Sequence, residues 1–269
     1  MALPNTKMIL LRTLQLLAVG YLIICIAVYL LQEKLIFFPE RLARDHGFSF
    51  DTPFEERFIR HGADTLHGLH FKADNSKGLV FYLHGNAGSV NRWGAVAKRY
   101  TDLGWDVFLL DYPGYGKSGG AIRSKKQLLD AVQAAYDDQK RQYPENRIVV
   151  LGYSIGTGPA AWLASANKPK QLLLQAPYYS LADVMRHHYR ILPTFLLKYN
   201  FETGTYLESC RVPVTLFHGD RDDVVPYGSS LKLQRHLKPG DTLITLPGQG
   251  HDGITDNPEY VAALRGMLR

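Results

Sequence analysis

The sequence predicts a layered α/β fold: a mostly parallel, eight-stranded sheet with helices on both faces. Three observations carry this. Short apolar runs alternate with amphipathic helical stretches from residue 54 onward. The runs are bounded by glycine- and proline-rich turns, as strands are. One run, 148–151, leads through Gly152, Tyr153, Ser154, Ile155 and Gly156 into an Ala- and Gly-rich helical stretch. A chain of 269 residues suits one sizeable domain plus an appendage, and its 46% hydrophobic content argues against wholesale disorder.

The N-terminal appendage comes first. Residues 14–31 carry no charge, and Gln15 is their only strongly polar member. At about 1.5 Å per residue this run nearly crosses a hydrocarbon layer of roughly 30 Å. Met8 to Leu11 extend it if Arg12 snorkels, and Tyr29, Phe37 and Phe38 are placed as interface anchors. A retained membrane anchor over residues 1–33 is the expectation, with a cleaved signal peptide or a buried core helix as alternatives. Lys7 and Arg12 before the run and Lys34, Arg41 and Arg44 after it leave the orientation balanced.

Residues 34–53 read as a linker or docking segment, broken by Pro39 and Pro53. The main α/β domain is expected over 54–269. Strands are predicted over 54–59 and 66–71, as an opening antiparallel pair, then over 79–83, 107–110, 148–151, 172–174, 212–217 and 242–246. Helices are predicted over 91–103, 125–143, after Ser154, over 229–237 and over 258–268. Residues 178–210 interrupt the alternation with seven aromatic residues and the pair His187 and His188. They are predicted to form a small helical cap, the alternative being a crossover helix with a long loop.

Lys and Arg number 31 against 25 Asp and Glu, a net charge of +6, spread without a dense basic run. That pattern excludes a nucleic-acid partner, which would need clustered charge. The two cysteines, Cys25 and Cys210, make neither a disulfide framework nor a zinc spacing, so no metal is expected.

The sharpest chemical signal is the G-x-S-x-G at residues 152–156, set between a strand and a helix. A tight turn there lifts the Ser154 hydroxyl out at the sheet edge, where the following helix amides favour negative charge. A serine hydroxyl needs a base, and the base an orienting acid. The base is expected in the loop after the last strand, where Pro247, Gly248, Gln249 and Gly250 precede His251. The other nine histidines lie before the elbow, in the cap, in a turn or on a helix. The acid is expected after the strand 212–217, where Asp220, Asp222 and Asp223 compete. Gly114, Gly116 and Gly119 form a literal G-x-G-x-x-G, but no helix follows at once, so no dinucleotide or other phosphate cofactor is expected.

From about residue 54 onward these motifs resemble the α/β-hydrolase family in order and spacing. The stretch from His218 to Pro226 resembles its H-G-x-x-D-x-x-V-P pattern, which implies Asp222 as the acid. His84, Gly85, Asn86, Ala87 and Gly88 resemble its oxyanion loop, which implies backbone amides of Asn86 and Ile155 as the two donors. The apolar helix, the 34–39 stretch KLIFFP and the short cap narrow the resemblance to membrane-anchored alpha/beta-hydrolase-domain proteins near monoacylglycerol lipases and serine-aminopeptidase-like hydrolases. It implies hydrolysis of acyl esters or thioesters by a Ser154, His251 and Asp222 triad, without a cofactor. The substrate would be an acyl-bearing small molecule, lipid or acylated protein, met at a membrane. An amidase or exopeptidase on the same triad is the nearest alternative and would need a carboxylate cluster at the cap, from Asp183, Glu202 and Glu208. A non-catalytic membrane protein is the other.

Overall fold

The computed structural model describes residues 6–268. The expected anchor, 1–33, thus begins five residues outside the described part, and the expected hydrolase domain, 54–269, ends one residue beyond it.

The N-terminal helix α1, Thr6–Leu30, runs 25 residues. It is long and apolar enough to cross a membrane, and only 6% of its most apolar window is buried. A core helix would hide that surface, so the core-helix alternative is excluded. A short helix, Gln32–Ile36, follows.

The sheet has eight strands: β1 (Phe54–His61), β2 (Asp64–Phe71), β3 (Leu79–Leu83), β4 (Asp106–Asp111), β5 (Ile148–Tyr153), β6 (Gln171–Gln175), β7 (Val214–Gly219) and β8 (Thr242–Leu246). Their spatial order is β8-β7-β6-β5-β3-β4-β2-β1. β2 is antiparallel to β1 and β4; every other pairing is parallel. Helices α2 (Lys125–Lys140), α3 (Thr157–Ala166), α4 (Leu181–His188), α5 (Thr203–Ser209), α6 (Gly228–Gln234) and α7 (Pro258–Met267) supply the covering layers and the cap.

Why the central strands read as unbroken apolar runs is clear from their two faces. Successive side chains on a strand point to opposite sides. Leu79, Phe81 and Leu83 pack into one core with Ile148, Val150, Leu172 and Leu174. Val80 and Tyr82 pack into the other with Val149, Leu151 and Leu173. Both faces are covered, so no polar alternation survives.

Several boundaries differ from the sequence expectation. The strand expected over 212–217 begins at Val214, because Pro213 cannot donate to the ladder. The helix expected over 91–103 is broken into Val90–Trp93, a tight turn Gly94–Ala97, and Lys98–Thr101. Phe50 lies against Gly94 so closely that a Cβ there would stand 2.3 Å from its ring. The helix expected over 125–143 ends at Lys140 and is started by Ser124, which accepts from Gln127 N at 3.1 Å.

Residues 34–53 dock rather than link. Phe37 is buried, and Phe38 and Pro39 pair in parallel with Ala87 and Gly88. Glu40 N donates to Gly88 O at 3.0 Å, and the Ser89 hydroxyl donates to Glu40. The segment thereby braces the loop that follows β3.

Candidate active site

Ser154 follows the end of β5 with φ of 51°, a left-handed backbone that costs a non-glycine residue roughly 1–3 kcal/mol. The flanking glycines allow the turn. A Cβ on Gly156 would stand 2.2 Å from Leu83 O, and one on Gly152 would stand 2.6 Å from Gly156 O. The sequence thus has no choice but glycine where β5, β3 and α3 converge.

The structure brings Ser154, His251 and Asp222 into one hydrogen-bonded chain. The Ser154 hydroxyl donates to His251 Nε2 at 3.0 Å, and His251 Nδ1 donates to Asp222 Oδ2 at 2.8 Å. Ser154 and His251 are 97 residues apart in sequence.

Asp222 has all its acceptor sites filled. Oδ1 accepts from Val224 N at 2.9 Å and Val225 N at 2.8 Å, and Oδ2 shares the His218 Nε2 proton, at 3.1 Å, with Val225 O at 2.9 Å. Burial pushes the carboxyl pKa up, but the bonds from His218, His251 and Val225 outweigh it and hold it well below the usual carboxylate range. Asp220 is exposed and accepts from Gly248 N at 2.7 Å, which ties it to the histidine loop. Asp223 is exposed. Of the three competing carboxylates, only Asp222 meets the imidazole.

Asn86 and Ile155 both line the cavity that Ser154 and His251 enter. The Asn86 loop is held from several sides: Trp93 Nε1 donates to Ala87 O at 2.9 Å, and Tyr112 OH donates to His84 O at 2.9 Å. His84 is fully buried, and burial lowers its pKa, so it serves as a neutral structural ring.

Sequence reasoning missed two supports. His218 was placed only at a turn; it is fully buried, its Nδ1 meets Ser230 Oγ at 2.6 Å, and it donates to Asp222. Its spacing of four residues before Asp222, inside the H-G-x-x-D pattern, was the available signal. Tyr153, the variable residue of the elbow, donates its hydroxyl to His251 O at 2.5 Å. No local pattern marks that contact.

The cavity holds about 600 Å³, within the usual span for small-ligand sites. Its cap side is aliphatic: Leu181, Val184, Met185, Leu192 and Leu197. The seven aromatic residues of 178–210 do not form one cap surface. Tyr178, Tyr199 and Phe201 are buried in the core beneath the cap, while Tyr189 and Phe195 are exposed. Tyr178 and Tyr189 alone among the seven cap aromatics reach the cavity. Arg92 and Asp252 also line it. Among the described residues no cluster of His, Cys, Asp and Glu suits a metal ion.

Comparison with known proteins agrees with this architecture. Residues 74–204 match the family described as serine aminopeptidase, S33; the match includes Ser154 and stops short of Asp222 and His251. An uncharacterised protein of Mycobacterium tuberculosis is 31% identical over 194 residues, which cover 70% of this chain and 69% of that protein. The mouse (Mus musculus) alpha/beta hydrolase domain-containing protein 17C is 28% identical over 223 residues, 78% of this chain and 66% of that one. The solved esterase Pf2001 of Pyrococcus furiosus superposes with a TM-score of 0.69 at 21% identity, covering 87% of this chain and 97% of that structure, a likeness of fold. The sheet order, the elbow and these relatives together establish that the chain belongs to the α/β-hydrolase family.

Proposed function

We propose that this hydrolase is a serine esterase or thioesterase that cleaves acyl substrates at a membrane. One observation carries the reading: the hydrogen-bonded Ser154, His251 and Asp222 chain opens into a cavity walled by aliphatic side chains. His251 Nε2 takes the hydroxyl proton as Ser154 Oγ attacks the acyl carbon. Backbone amides of Asn86 and Ile155 hold the oxyanion. His251 returns the proton to the departing alcohol or thiol, and water then releases the acid by the same route. Asp222, ionised and saturated with donors, keeps the imidazole in the tautomer that this needs.

The cavity favours an acyl chain over a free amine. Asp183 pairs with Lys232 Nζ at 2.5 Å and Glu208 with His236 Nδ1 at 2.9 Å; neither they nor Glu202 line the cavity. An aminopeptidase would want those carboxylates turned inward.

In this reading residues 1–33 are a membrane anchor, 34–53 a docking segment and 54–269 the hydrolase domain, with its cap over about 178–210. The exposed apolar face of α1 supports the anchor. Its packing on the domain is consistent with this, the Tyr21 hydroxyl donating to Ile191 O of the cap at 2.6 Å.

The test is covalent labelling with a fluorophosphonate. Wild-type protein is expected to label at one site, and Ser154→Ala is expected to lose both the label and several orders of magnitude of ester turnover. Undiminished labelling of the variant would show that another residue is the nucleophile.

A further inference from the structure

The end of α1 does more than hold the domain near a bilayer. Val28, Gln32, Leu35 and Ile36 line the same cavity as Ser154, facing Leu192 and Leu197 of the cap. One wall of the site is therefore built from the apolar helix and the short helix that continues it.

The contact between the two is specific. Gln32 is 3% exposed and uses both ends of its amide. Its Nε2 donates to Leu196 O at 2.9 Å, and its Oε1 accepts from Lys198 N at 2.6 Å. Lys198 Nζ also lies 3.2 Å from Glu33 Oε1 and 4.5 Å from the centre of the Tyr29 ring. Tyr199 OH donates to Glu33 Oε1 at 2.8 Å.

Depth follows from the register. Tyr21 touches the cap at Ile191, and Tyr21 sits near the middle of the uncharged run 14–31. Residues 6–20 of α1 extend only about 22 Å, short of a hydrocarbon layer of roughly 30 Å. A bilayer that houses the uncharged run therefore also meets the cap tip. What the tip presents there is apolar: Ile191 is 74% exposed and Phe195 83%. Non-helical backbone in hydrocarbon must find its partners within the protein. Tyr21 and Gln32 provide them, at the carbonyls of Ile191 and Leu196 and the amide of Lys198.

We propose that the cap tip, residues 191–197, and the end of α1 form a lipid-immersed portal, through which the acyl chain of a membrane lipid reaches Ser154 sideways from the bilayer. The proposal rests on the hydrolase reading above. The chain lies between Val28, Leu35 and Ile36 on one side and Leu192 and Leu197 on the other, with its carbonyl at Ser154. Arg190, with its long stem, and the paired Lys198 bracket the tip and limit how deep it dips.

Two measurements on the full chain in phosphatidylcholine vesicles test it. In the first, Phe195→Cys carries a nitroxide in a background of Cys25→Ala and Cys210→Ala. Collisions with oxygen are expected to exceed those with a water-soluble nickel chelate; the reverse order places the tip in water and overturns the portal. The second uses a long alkyl fluorophosphonate with a diazirine at the chain end. Ser154 Oγ bonds to phosphorus, fluoride leaves, and His251 takes the hydroxyl proton. Irradiation is expected to join the labelled Ser154 peptide to the segment 28–36. Labelled Ser154 with crosslinks confined to other segments overturns the portal and leaves the hydrolase reading intact. Failure to phosphonylate Ser154 overturns both.

Discussion

Two of the histidine–aspartate pairs among the described residues invite comparison, because their near-identical first contacts hide opposite surroundings. His251 Nδ1 meets Asp222 Oδ2 at 2.8 Å; His67 Nδ1 meets Asp111 Oδ2 at 2.6 Å. Beyond the rings they diverge. His251 Nε2 faces the Ser154 hydroxyl and the cavity. His67 is fully buried, and its Nε2 faces Glu56 Oε2 at 3.2 Å, a carboxylate that also accepts from Lys117 Nζ at 2.7 Å. Both nitrogens of the His67 ring thus face carboxylates in the interior, and neither faces the cavity. Asp111 is likewise occupied: Oδ1 accepts from Val90 N at 2.9 Å, and its neighbour Gly116 lacks the Cβ that would collide with it. An Asp–His pair is thus poised for chemistry or committed to scaffolding by what the second nitrogen meets.

The comparison breaks first at Asp222. Asp222→Asn is expected to lower ester turnover by on the order of 10⁴-fold, as loss of the orienting acid does in serine proteases, while the protein still folds. Steady-state kinetics on a short soluble ester would measure it. A mild effect would mean that another group orients His251.

Asp111→Ala should show the opposite split. It strands His67 and the Val90 amide in the interior, and breaking a buried pair costs about 3–5 kcal/mol of stability. Denaturant unfolding is expected to register that loss, while the fraction still folded labels with fluorophosphonate at close to the wild-type rate. A folded but unreactive variant would draw the His67 network into the chemistry.

Acid sharpens the stability side. Burial pushes the Asp106 carboxyl up, but the nearby His70 ring and bonds from the Ala73 amide and Tyr143 outweigh it and hold its pKa at about 2. A depressed folded pKa contributes stability above the ordinary carboxylate value near 3.9, and that contribution is lost as pH falls through the folded value. Asp222, shifted the same way, adds to the effect. Unfolding free energy should therefore drop between about pH 4 and pH 2, and Asp106→Asn should flatten that drop. An unchanged slope in the variant would assign the acid sensitivity elsewhere.

The smallest effects belong to the neighbours of Asp222. Asp220→Asn weakens the acceptor for Gly248 N and should cost modestly in turnover. Asp223→Asn changes an exposed side chain and should stay within about 0.5 kcal/mol in stability, with turnover unaltered. A severe loss at Asp223 would shift the acid by one residue.

Much of the fold was legible because its information is local. Short apolar runs bounded by glycine- and proline-rich turns marked the strands, and G-x-S-x-G between a strand and a helix marked the elbow; both depend on residues a few positions apart. The histidine loop was readable for the same reason, from small residues crowded before His251. The boundaries that differ have both local and distant neighbours: Pro213 stands just before the start of β7, and Phe50 packs on Gly94 where the helix over 91–103 is interrupted.

By itself, then, the sequence determined the order of strands and helices, the elbow at Ser154, the histidine loop and the apolar character of α1. These follow from turn chemistry and side-chain periodicity, which act over a few residues. Only the tertiary structure decided which groups saturate Asp222, that Tyr153 buttresses His251, and that the aromatic residues of 178–210 divide between core and surface. It alone decided that residues 28–36 wall the site, tied to the cap by Gln32 and Lys198, 166 positions apart. The physical reason is that a cavity belongs to no single segment. Its lining is assembled from strand ends, loops and helices that packing brings together, and a one-dimensional pattern does not record which of them will share a wall.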